Sequence, residues 1–429
     1  MSELQDSGRA GISRLTPPRW LNRRTMTWAS YDFAASTYFG VIPVLIFPLF
    51  FATVVAPGPS GDLYWGLSVA GAYVVSGLAA PLLGVLADRT RSRLPLMAAA
   101  TLACCLATAA TAAVAPGQVA AAVVICAVAQ TGYFLAMSLY ESYLPGITTP
   151  ADSGRVSCFA WSIGFVGGGV ALLAVLFIVR TGPSPGAMTS SGFQTSFIVV
   201  ALMFALFALP ALVGLRRIAV PRSASEPILP VLDLMRSWRM HRQVFTLILA
   251  ACLINSGIVT VLVFSTKFFA SNFGASIDRL LVLLLVFHLI AVPATWAFGE
   301  LADRWSHTRA IIASLVSWAA GILLMILGRG EWVPVIVVVL LATVVGSTQA
   351  LLRSLLARMV PIGRAAEFFG FSTLSGRASA ALGPLTYGAI SAATGSERIA
   401  LVSVFVFMAA GAVVITRLRF EDAAAPHHA

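Results

Sequence analysis

Long apolar stretches separated by short polar segments dominate this chain. We identify twelve of them, and most reach about 20 residues, enough for a helix to cross a hydrocarbon core of roughly 30 Å. Apolar and polar residues do not alternate within the stretches, which argues against a membrane β-barrel. The pattern therefore predicts an all-α polytopic membrane protein with twelve transmembrane helices. The predicted spans are residues 27–54, 64–87, 95–114, 118–140, 156–179, 193–215, 243–269, 280–301, 310–328, 333–357, 366–394 and 397–416.

A polar segment at residues 216–242 divides the spans into two sets of six. It is the longest internal polar stretch and carries six arginines and three prolines, which indicates an amphipathic linker. We expect five parts: a cytoplasmic N-terminal tail (1–26), an N-terminal six-helix bundle (27–215), the cytoplasmic linker (216–242), a C-terminal six-helix bundle (243–418) and a C-terminal tail (419–429).

A short polar motif occurs once in each half. The sequence Gly-Val-Leu-Ala-Asp-Arg begins at Gly84, and Gly-Glu-Leu-Ala-Asp-Arg begins 215 residues later at Gly299. Each copy follows the second span of its half, so the recurrence indicates a duplicated membrane bundle. The alternative is a pair of ordinary loops whose charge only sets the topology. The candidate gating residues are Gly84, Asp88, Arg89, Arg93, Gly299, Asp303 and Arg304.

The charge of the chain follows its predicted topology. The chain is 59% hydrophobic and 10% charged, with a formal net charge of +11. The basic residues lie in short loops rather than in one patch, which argues against nucleic-acid binding. With the N-terminus, every second loop and the C-terminus on one side, that side holds 22 of the 28 Lys and Arg residues, and the opposite loops hold 4. This bias predicts a multi-pass protein of the cell membrane with both termini in the cytoplasm.

The sequence contains no concentrated set of catalytic residues. It has no H-E-x-x-H, G-x-S-x-G or Walker A motif. All five cysteines lie inside apolar spans, without metal-ligand spacing or a disulfide framework. We therefore expect no enzymatic activity, cofactor, metal or internal use of ATP. A receptor that binds without transporting is the remaining alternative on such a scaffold, because only an assay separates it from a transporter.

The repeated motif resembles the signature loop of the major facilitator superfamily, which reads in outline G-x-x-x-D-R/K-x-G-R/K-R/K. The second glycine of that outline is replaced by Arg91. The resemblance covers about residues 25–418 and implies two six-helix halves that alternate around a substrate site between them. It also implies that the loop aspartate lies near the N-terminus of a helix in the opposite half, where the helix dipole stabilises a carboxylate. We expect Arg89 or Arg93 to close a surface ion pair there.

Further segments resemble the vacuole-effluxer-like branch of that superfamily. Residues 28–34 match the W-x-x-Y-D-F-A sequence at the start of that branch. Four later segments resemble its C-terminal half: residues 353–361, 367–371, 374–377 and 382–384. The branch is named for fungal proteins that release amino acids from the vacuole. The resemblance therefore implies a secondary transporter, a monomer in membrane lipid, that exports a small solute such as an amino acid, with a coupling proton as one option. Sugars, peptides, drugs and lipids remain open as substrates.

Polar groups inside the spans are the candidate substrate or coupling residues. Asp32 lies about 7 Å into the first span and His288 about 12 Å into the eighth. Both can titrate, although the interface could hydrate Asp32 and His288 could be a neutral packing histidine. Glu141, Arg353 and Arg358 lie near helix ends, where we expect them at the membrane interface. The uncharged candidates are Ser36, Thr37, Tyr133, Asn255 and Gln349.

Arg377 is the most costly of these residues. It lies about 16 Å into the eleventh span, where a guanidinium costs about 2.5–3.5 kcal/mol. The aligned position of the first half is Phe165, so the repeat itself does not require a base. Its partner could be Asp32, a carboxylate of the substrate, or backbone carbonyls and water. We also expect the glycines at 164, 167, 168 and 169 to allow close helix packing. Together with Gly383, Pro384 and Gly388 they could also let the fifth and eleventh spans bend during the transport cycle.

Overall fold

The computed structural model describes residues 20–57, 59–149, 151–182, 189–216, 218, 237–275, 277–361 and 364–418. Most of the predicted linker, residues 1–19 of the predicted N-terminal tail and the whole predicted C-terminal tail lie outside these ranges. Within them the chain is helical and contains no strand. The long helices are α1 (Arg23–Phe39), α2 (Pro59–Thr90), α3 (Arg93–Ala110), α4 (Val119–Glu141), α5 (Ser153–Thr181), α6 (Ser190–Leu215), α7 (Arg242–Phe273), α8 (Ile277–Arg304), α9 (His307–Leu327), α10 (Val333–Met359), α11 (Ala365–Thr394) and α12 (Glu397–Thr416).

These helices form a bundle of membrane-spanning dimensions. Eleven spans within the described ranges are long and apolar enough to cross a bilayer. The remaining long helix, α11, has 30 residues and packs between α2 and α7, among the spanning helices. The all-α membrane fold predicted from the apolar pattern is confirmed, and with α11 the described ranges contain twelve long helices.

The first span differs from the continuous helix predicted for residues 27–54. Its α-helix ends at Phe39, and the chain continues as two π-helical turns, Ile42–Ile46 and Phe51–Val55, around the short helix Phe47–Phe50. Pro43 and Pro48 lack the N–H that the ordinary pattern needs. The π-helical turns replace that pattern with hydrogen bonds to the residue five positions earlier. One example is the bond from the Ile46 N–H to the Val41 carbonyl at 3.1 Å.

The two halves repeat the same packing. In the first half α1 packs against α5 and α6, and in the second half α7 packs against α11 and α12. The halves meet mainly where α2 lies against α11 and where α5 lies against α8, and α5 also packs against α10. Polar residues of α5, α8, α10 and α11 therefore face the opposite half.

Close approach of helices requires glycine at two equivalent places. A Cβ at Gly167 of α5 would lie 2.1 Å from the Phe33 carbonyl oxygen of α1, and one at Gly383 of α11 would lie 2.1 Å from the Ser256 carbonyl oxygen of α7. A Cβ at Gly164 would lie 2.8 Å from the Ser36 Oγ of α1, one at Gly168 would make an ordinary contact at 3.4 Å, and Gly169 and Gly388 have nothing within 4 Å. The packing prediction is therefore confirmed for Gly164 and Gly167 and wrong for Gly169, while the space at Gly168 would accept a Cβ.

Candidate functional site

The loops that carry the repeated motif lie at one end of the bundle, with the start of α1 and the end of α12. We call this end the basic end, because the charge pattern concentrates Lys and Arg there, and the opposite end the far end. The described hydrogen bonds and ion pairs between the halves lie toward the basic end.

Asp88 connects the first motif to the second half. Its Oδ2 accepts a hydrogen bond from the backbone N–H of Glu367 at 3.2 Å, in the first turn of α11. Its Oδ1 pairs with Arg93, and both side chains are 5% exposed. Arg93 also donates to the Ser142 carbonyl at 2.9 Å and lies over the Tyr143 ring. The carboxylate thus faces a helix N-terminus while a guanidinium compensates its charge.

Asp303 makes the equivalent contact in the reverse direction. Its Oδ2 accepts from the backbone N–H of Arg155 at 2.9 Å, in the first turn of α5. The Arg155 Nε lies 3.1 Å from Glu300, also across the two halves. A Cβ at Gly299 would lie 2.7 Å from the Cβ of Cys158, so the glycine allows this approach. We call Asp88 with the α11 N-terminus and Asp303 with the α5 N-terminus the two latches.

The latches agree with the geometry that the resemblance implied, with one correction. The ion pair of the first motif is buried rather than at the surface, and it uses Arg93, because that side chain folds back over Tyr143. Arg89 is exposed. Arg304 is 73% exposed and lies 3.9 Å from Glu300 of its own helix.

A buried histidine that the sequence analysis did not single out lies beside the second latch. The Nη1 of Arg358 lies 2.6 Å from His307 Nδ1 and donates to it, so Nδ1 carries no hydrogen. The ring hydrogen is therefore on Nε2, which donates to Ser354 Oγ at 2.8 Å. Ser354 in turn donates to Ser153 of α5 at 2.9 Å. His307 Nε2 also lies 3.8 Å from Asp303. The chain of polar contacts therefore crosses from α9 and α10 to the first half.

Arg353 of α10 extends into the first half and is buried there. It donates to Asp32 Oδ2 at 3.1 Å, to Ser157 Oγ at 3.0 Å and to the Ser157 carbonyl at 2.9 Å. Its Cζ lies 4.9 Å from the Trp28 ring centroid, 5.9 Å from that of Tyr140 and 5.8 Å from that of Trp161. We call the five residues of the first half that surround it the cation cage: Trp28, Asp32, Tyr140, Ser157 and Trp161.

The interfacial placement expected for Arg353 is therefore wrong. The carboxylate, the carbonyl and the ring faces of the cage offset the cost of burying a guanidinium. Its position inside the predicted tenth span was the available signal, because an ionisable group within a span indicates function. Arg358 is exposed near the basic end, as expected for an interfacial residue.

A cavity of ≈ 100 Å³ lies beside Arg353 and between the halves. It is lined by Asn255 of α7 and Gln349 of α10, two residues that the sequence analysis selected, and by Glu141 of α4. Glu141, the last residue of α4, thus lines a cavity between the halves, which the sequence did not predict. The Trp161 Nε1 hydrogen also has no partner in the described part of the chain. The cavity is therefore lined by a carboxylate residue, two amide residues and an indole ring.

Arg377 of α11 lies across the interface on aromatic rings of the first half. Its Cζ is 3.6 Å from the Phe134 ring centroid and 5.2 Å from that of Tyr73. Its Nε has no hydrogen-bond partner among the described residues. Asp32 is paired with Arg353 instead, so the pairing of Asp32 with Arg377 is not formed in this structure. Cation–π contact therefore offsets part of the cost of burying this guanidinium.

The other selected residues pack around α1 and α5. His288 Nδ1 lies 2.9 Å from the Leu284 carbonyl, and its Nε2 faces Gly168 of the opposite half. Ser36 contacts α5 where a Cβ at Gly164 would lie 2.8 Å from its Oγ. The remaining two are Thr37, which donates to the Ala34 carbonyl, and Tyr133, whose ring packs on Tyr38 and Phe39.

Solved membrane transporters share this arrangement of helices. FucP, a major facilitator superfamily transporter solved in the outward conformation, gives a TM-score of 0.74 at 12% identity over 94% of this chain and 99% of its own. A bacterial homologue of the iron transporter ferroportin in the outward-facing state gives 0.68 at 15% identity, over 93% and 99%. The proton:xylose symporter XylE gives 0.68 at 15% identity, over 92% and 94%. The chain therefore has the major facilitator fold.

The chain belongs to the family described as Vacuole effluxer Atg22 like, which it matches over residues 65–426. It is also 24% identical over 400 residues to YxiO of Bacillus subtilis (strain 168), described as an uncharacterized MFS-type transporter, with 91% of this chain and 93% of that protein covered. These relatives are transporters rather than enzymes. The protein is a major facilitator transporter of the Atg22-like branch, which confirms the resemblance carried by its motifs.

Proposed function

We propose that this transporter works by alternating access and exports a small solute such as an amino acid. The proposal rests on one observation: the described polar contacts between the two halves lie toward one end of the interface. Two latches and the Arg353 contacts join the halves toward the basic end, and a polar cavity lies beside Arg353. Separation of the halves at that end would open the cavity to the basic side.

The proposed orientation places the basic end in the cytoplasm of the cell that makes the protein. The bias of 22 basic residues against 4 supports this orientation. The described structure is then the state closed to the cytoplasm, which fits its similarity to FucP in the outward conformation. Opening at the basic end would admit a cytoplasmic solute, as export requires.

The proposed substrate site lies between the halves. Arg377 binds a carboxylate of the solute through its free N–H groups, and Asn255 and Gln349 supply hydrogen bonds at the cavity. Tyr133 and Ser36 line the path along α1 and α4. Asp32 and His288 are the proposed carriers of a coupling proton.

Efflux from proteoliposomes tests the proposal. Purified protein is reconstituted into liposomes, and the liposomes are loaded with a labelled amino acid. Efflux of the label is then measured with and without a proton gradient. We expect saturable efflux that empty liposomes do not show. Saturable binding without flux would favour a receptor instead. Because a ligand stabilises the state that it binds by about RT ln(1 + [L]/Kd), a prior thermal-shift screen of amino acids, sugars and peptides selects the labelled solute.

A further inference from the structure

The cation cage belongs entirely to one half, although the group that it holds belongs to the other. Its residues lie on α1, α4 and α5, and α5 packs closely on α1. The Trp28 indole also donates to the Tyr140 carbonyl at 3.1 Å, which connects α1 to α4. These contacts lie within the first half, and the Ser157 hydroxyl in addition donates to the Ala350 carbonyl of α10 at 2.7 Å.

Arg353 leaves the cage when the halves separate at the basic end, because it moves with α10. What then remains is a carboxylate, a backbone carbonyl, a hydroxyl and three aromatic faces. These are the groups that recognise an organic cation. The three hydrogen bonds that Arg353 now donates from Nε, Nη1 and Nη2 follow the fork of a planar guanidinium. A primary ammonium would satisfy fewer of them.

We propose that the cation cage binds the guanidinium group of a solute when the basic end is open, and that Arg353 occupies the cage when this end is closed. The inference rests on the proposed alternating access and adds the chemistry of the cargo. Solute cation and Arg353 exclude each other from one site. Cation binding therefore favours the state that is open at the basic end.

Equilibrium binding of labelled L-arginine to detergent-solubilised protein tests the cage, with methylguanidinium as a competitor. Arg353→Gln removes the internal occupant, so we expect its Kd for L-arginine to fall about tenfold or more below that of the unchanged protein. Arg398→Gln is the matched control. Arg398 also lies over a ring, that of Phe273, and donates to the Ile326 carbonyl, but within the second half. The Kd of the Arg398→Gln variant for L-arginine should equal that of the unchanged protein.

The double variant Asp32→Asn/Arg353→Gln should lose the gain in affinity, because the cage then lacks its carboxylate. An unchanged Kd in Arg353→Gln, or a gain that persists in the double variant, would overturn the proposal. These outcomes do not depend on flux. Binding to the cage without flux in proteoliposomes would refute transport alone, and amino acid flux with no effect of Arg353→Gln on binding would refute the cage alone.

A second measurement leaves the cage residues unchanged, in case Arg353→Gln fails to fold. Arg155→Cys and Glu300→Cys replace two side chains that face each other across the basic end, with Nε and Oε2 3.1 Å apart. The five native cysteines are replaced by alanine in this background. We expect the cross-linked protein to lose L-arginine binding and the reduced protein to regain it. Equal binding by both forms would contradict exclusion by Arg353.

Discussion

At the scale of single residues, Asp32 and Arg353 depend on each other. Their side chains are 7% and 4% exposed, so neither charge has water to replace its partner. Removing one member of a buried pair leaves an uncompensated charge and typically costs 3–5 kcal/mol, whereas removing both costs less than the sum.

A double-mutant cycle on thermal stability measures this dependence. We expect Asp32→Asn and Arg353→Gln to destabilise the purified protein individually and to be coupled by about 1–3 kcal/mol. The control cycle joins Asp32→Asn with Arg377→Gln, which should be additive, because Arg377 lies on Phe134 and Tyr73. Stronger coupling in the control cycle would show that Asp32 pairs with Arg377 after all.

The prediction for Arg377 concerns binding and transport instead of stability, because its proposed partner is the solute. Arg377→Gln should abolish binding and transport of a carboxylate-bearing substrate, and Arg377→Lys should recover only part, because an ammonium lacks the planar fork. Phe134→Leu is the control, because it removes a ring beneath the guanidinium but keeps the charge. If Arg377→Gln folds normally and retains the affinity and flux of the unchanged protein, Arg377 is outside the binding site.

The sequence predicted some of these residues and missed others for a physical reason. Asp32 and Arg377 could be selected because depth within a span is read directly from the helical rise. The role of Arg353 depends on a cage from three other helices, about 200 to 320 residues away. His307 was missed because it stands at a helix start, where a histidine is ordinary, and its burial depends on Ser354 and Ser153.

At the scale of elements, α5 and α11 are held against their neighbours by glycine. The contact of Gly167 with the Phe33 carbonyl leaves no space for a Cβ, whereas Gly169 on the same helix has nothing nearby. Apolar periodicity located the helices well. It could not show the π-helical turns of the first span, because two prolines break the bonding pattern without changing hydropathy.

The two glycines of α5 provide a matched pair of variants. Gly167→Ala should lower the stability of the protein by about 1–3 kcal/mol, because α1 or α5 must shift. Gly169→Ala should be neutral or slightly stabilising, since alanine favours the helix. Thermal unfolding in detergent compares them. Equal melting temperatures for the two variants would show that the backbone contact with Phe33 is not required.

At the scale of the whole molecule, the latches make the interface symmetric. Each half supplies one aspartate and one helix N-terminus. Asp88→Asn and Asp303→Asn each replace a charged acceptor with a neutral one and create no cavity. We expect each to reduce flux while expression stays near normal, with a further loss in the double variant. Arg304→Gln, at a residue 73% exposed, is the control. Near-normal flux in the double variant would show that the two motifs only set the topology of the chain.

The orientation of the bundle is tested by labelling. Arg304→Cys lies at the basic end and Ala115→Cys in an exposed loop at the far end. In intact cells, an impermeant thiol reagent should label the far-end cysteine alone, and permeabilisation should expose both. Labelling of Arg304→Cys from outside would reverse the proposed orientation and the direction of transport derived from it.

The placement of both membrane-embedded guanidiniums also affects how the protein is made. Arg353 and Arg377 are carried by the second half, but the groups that stabilise them, Asp32, Phe134 and Tyr73, belong to the first. During synthesis the first half leaves the ribosome earlier, so its helices are available when α10 and α11 enter the bilayer. A second half made alone would leave both guanidiniums without these partners, and Arg377, near the middle of its span, would cost about 2.5–3.5 kcal/mol in lipid. The order of the halves along the gene therefore favours correct insertion, and a circular permutant that begins with α7 should insert poorly.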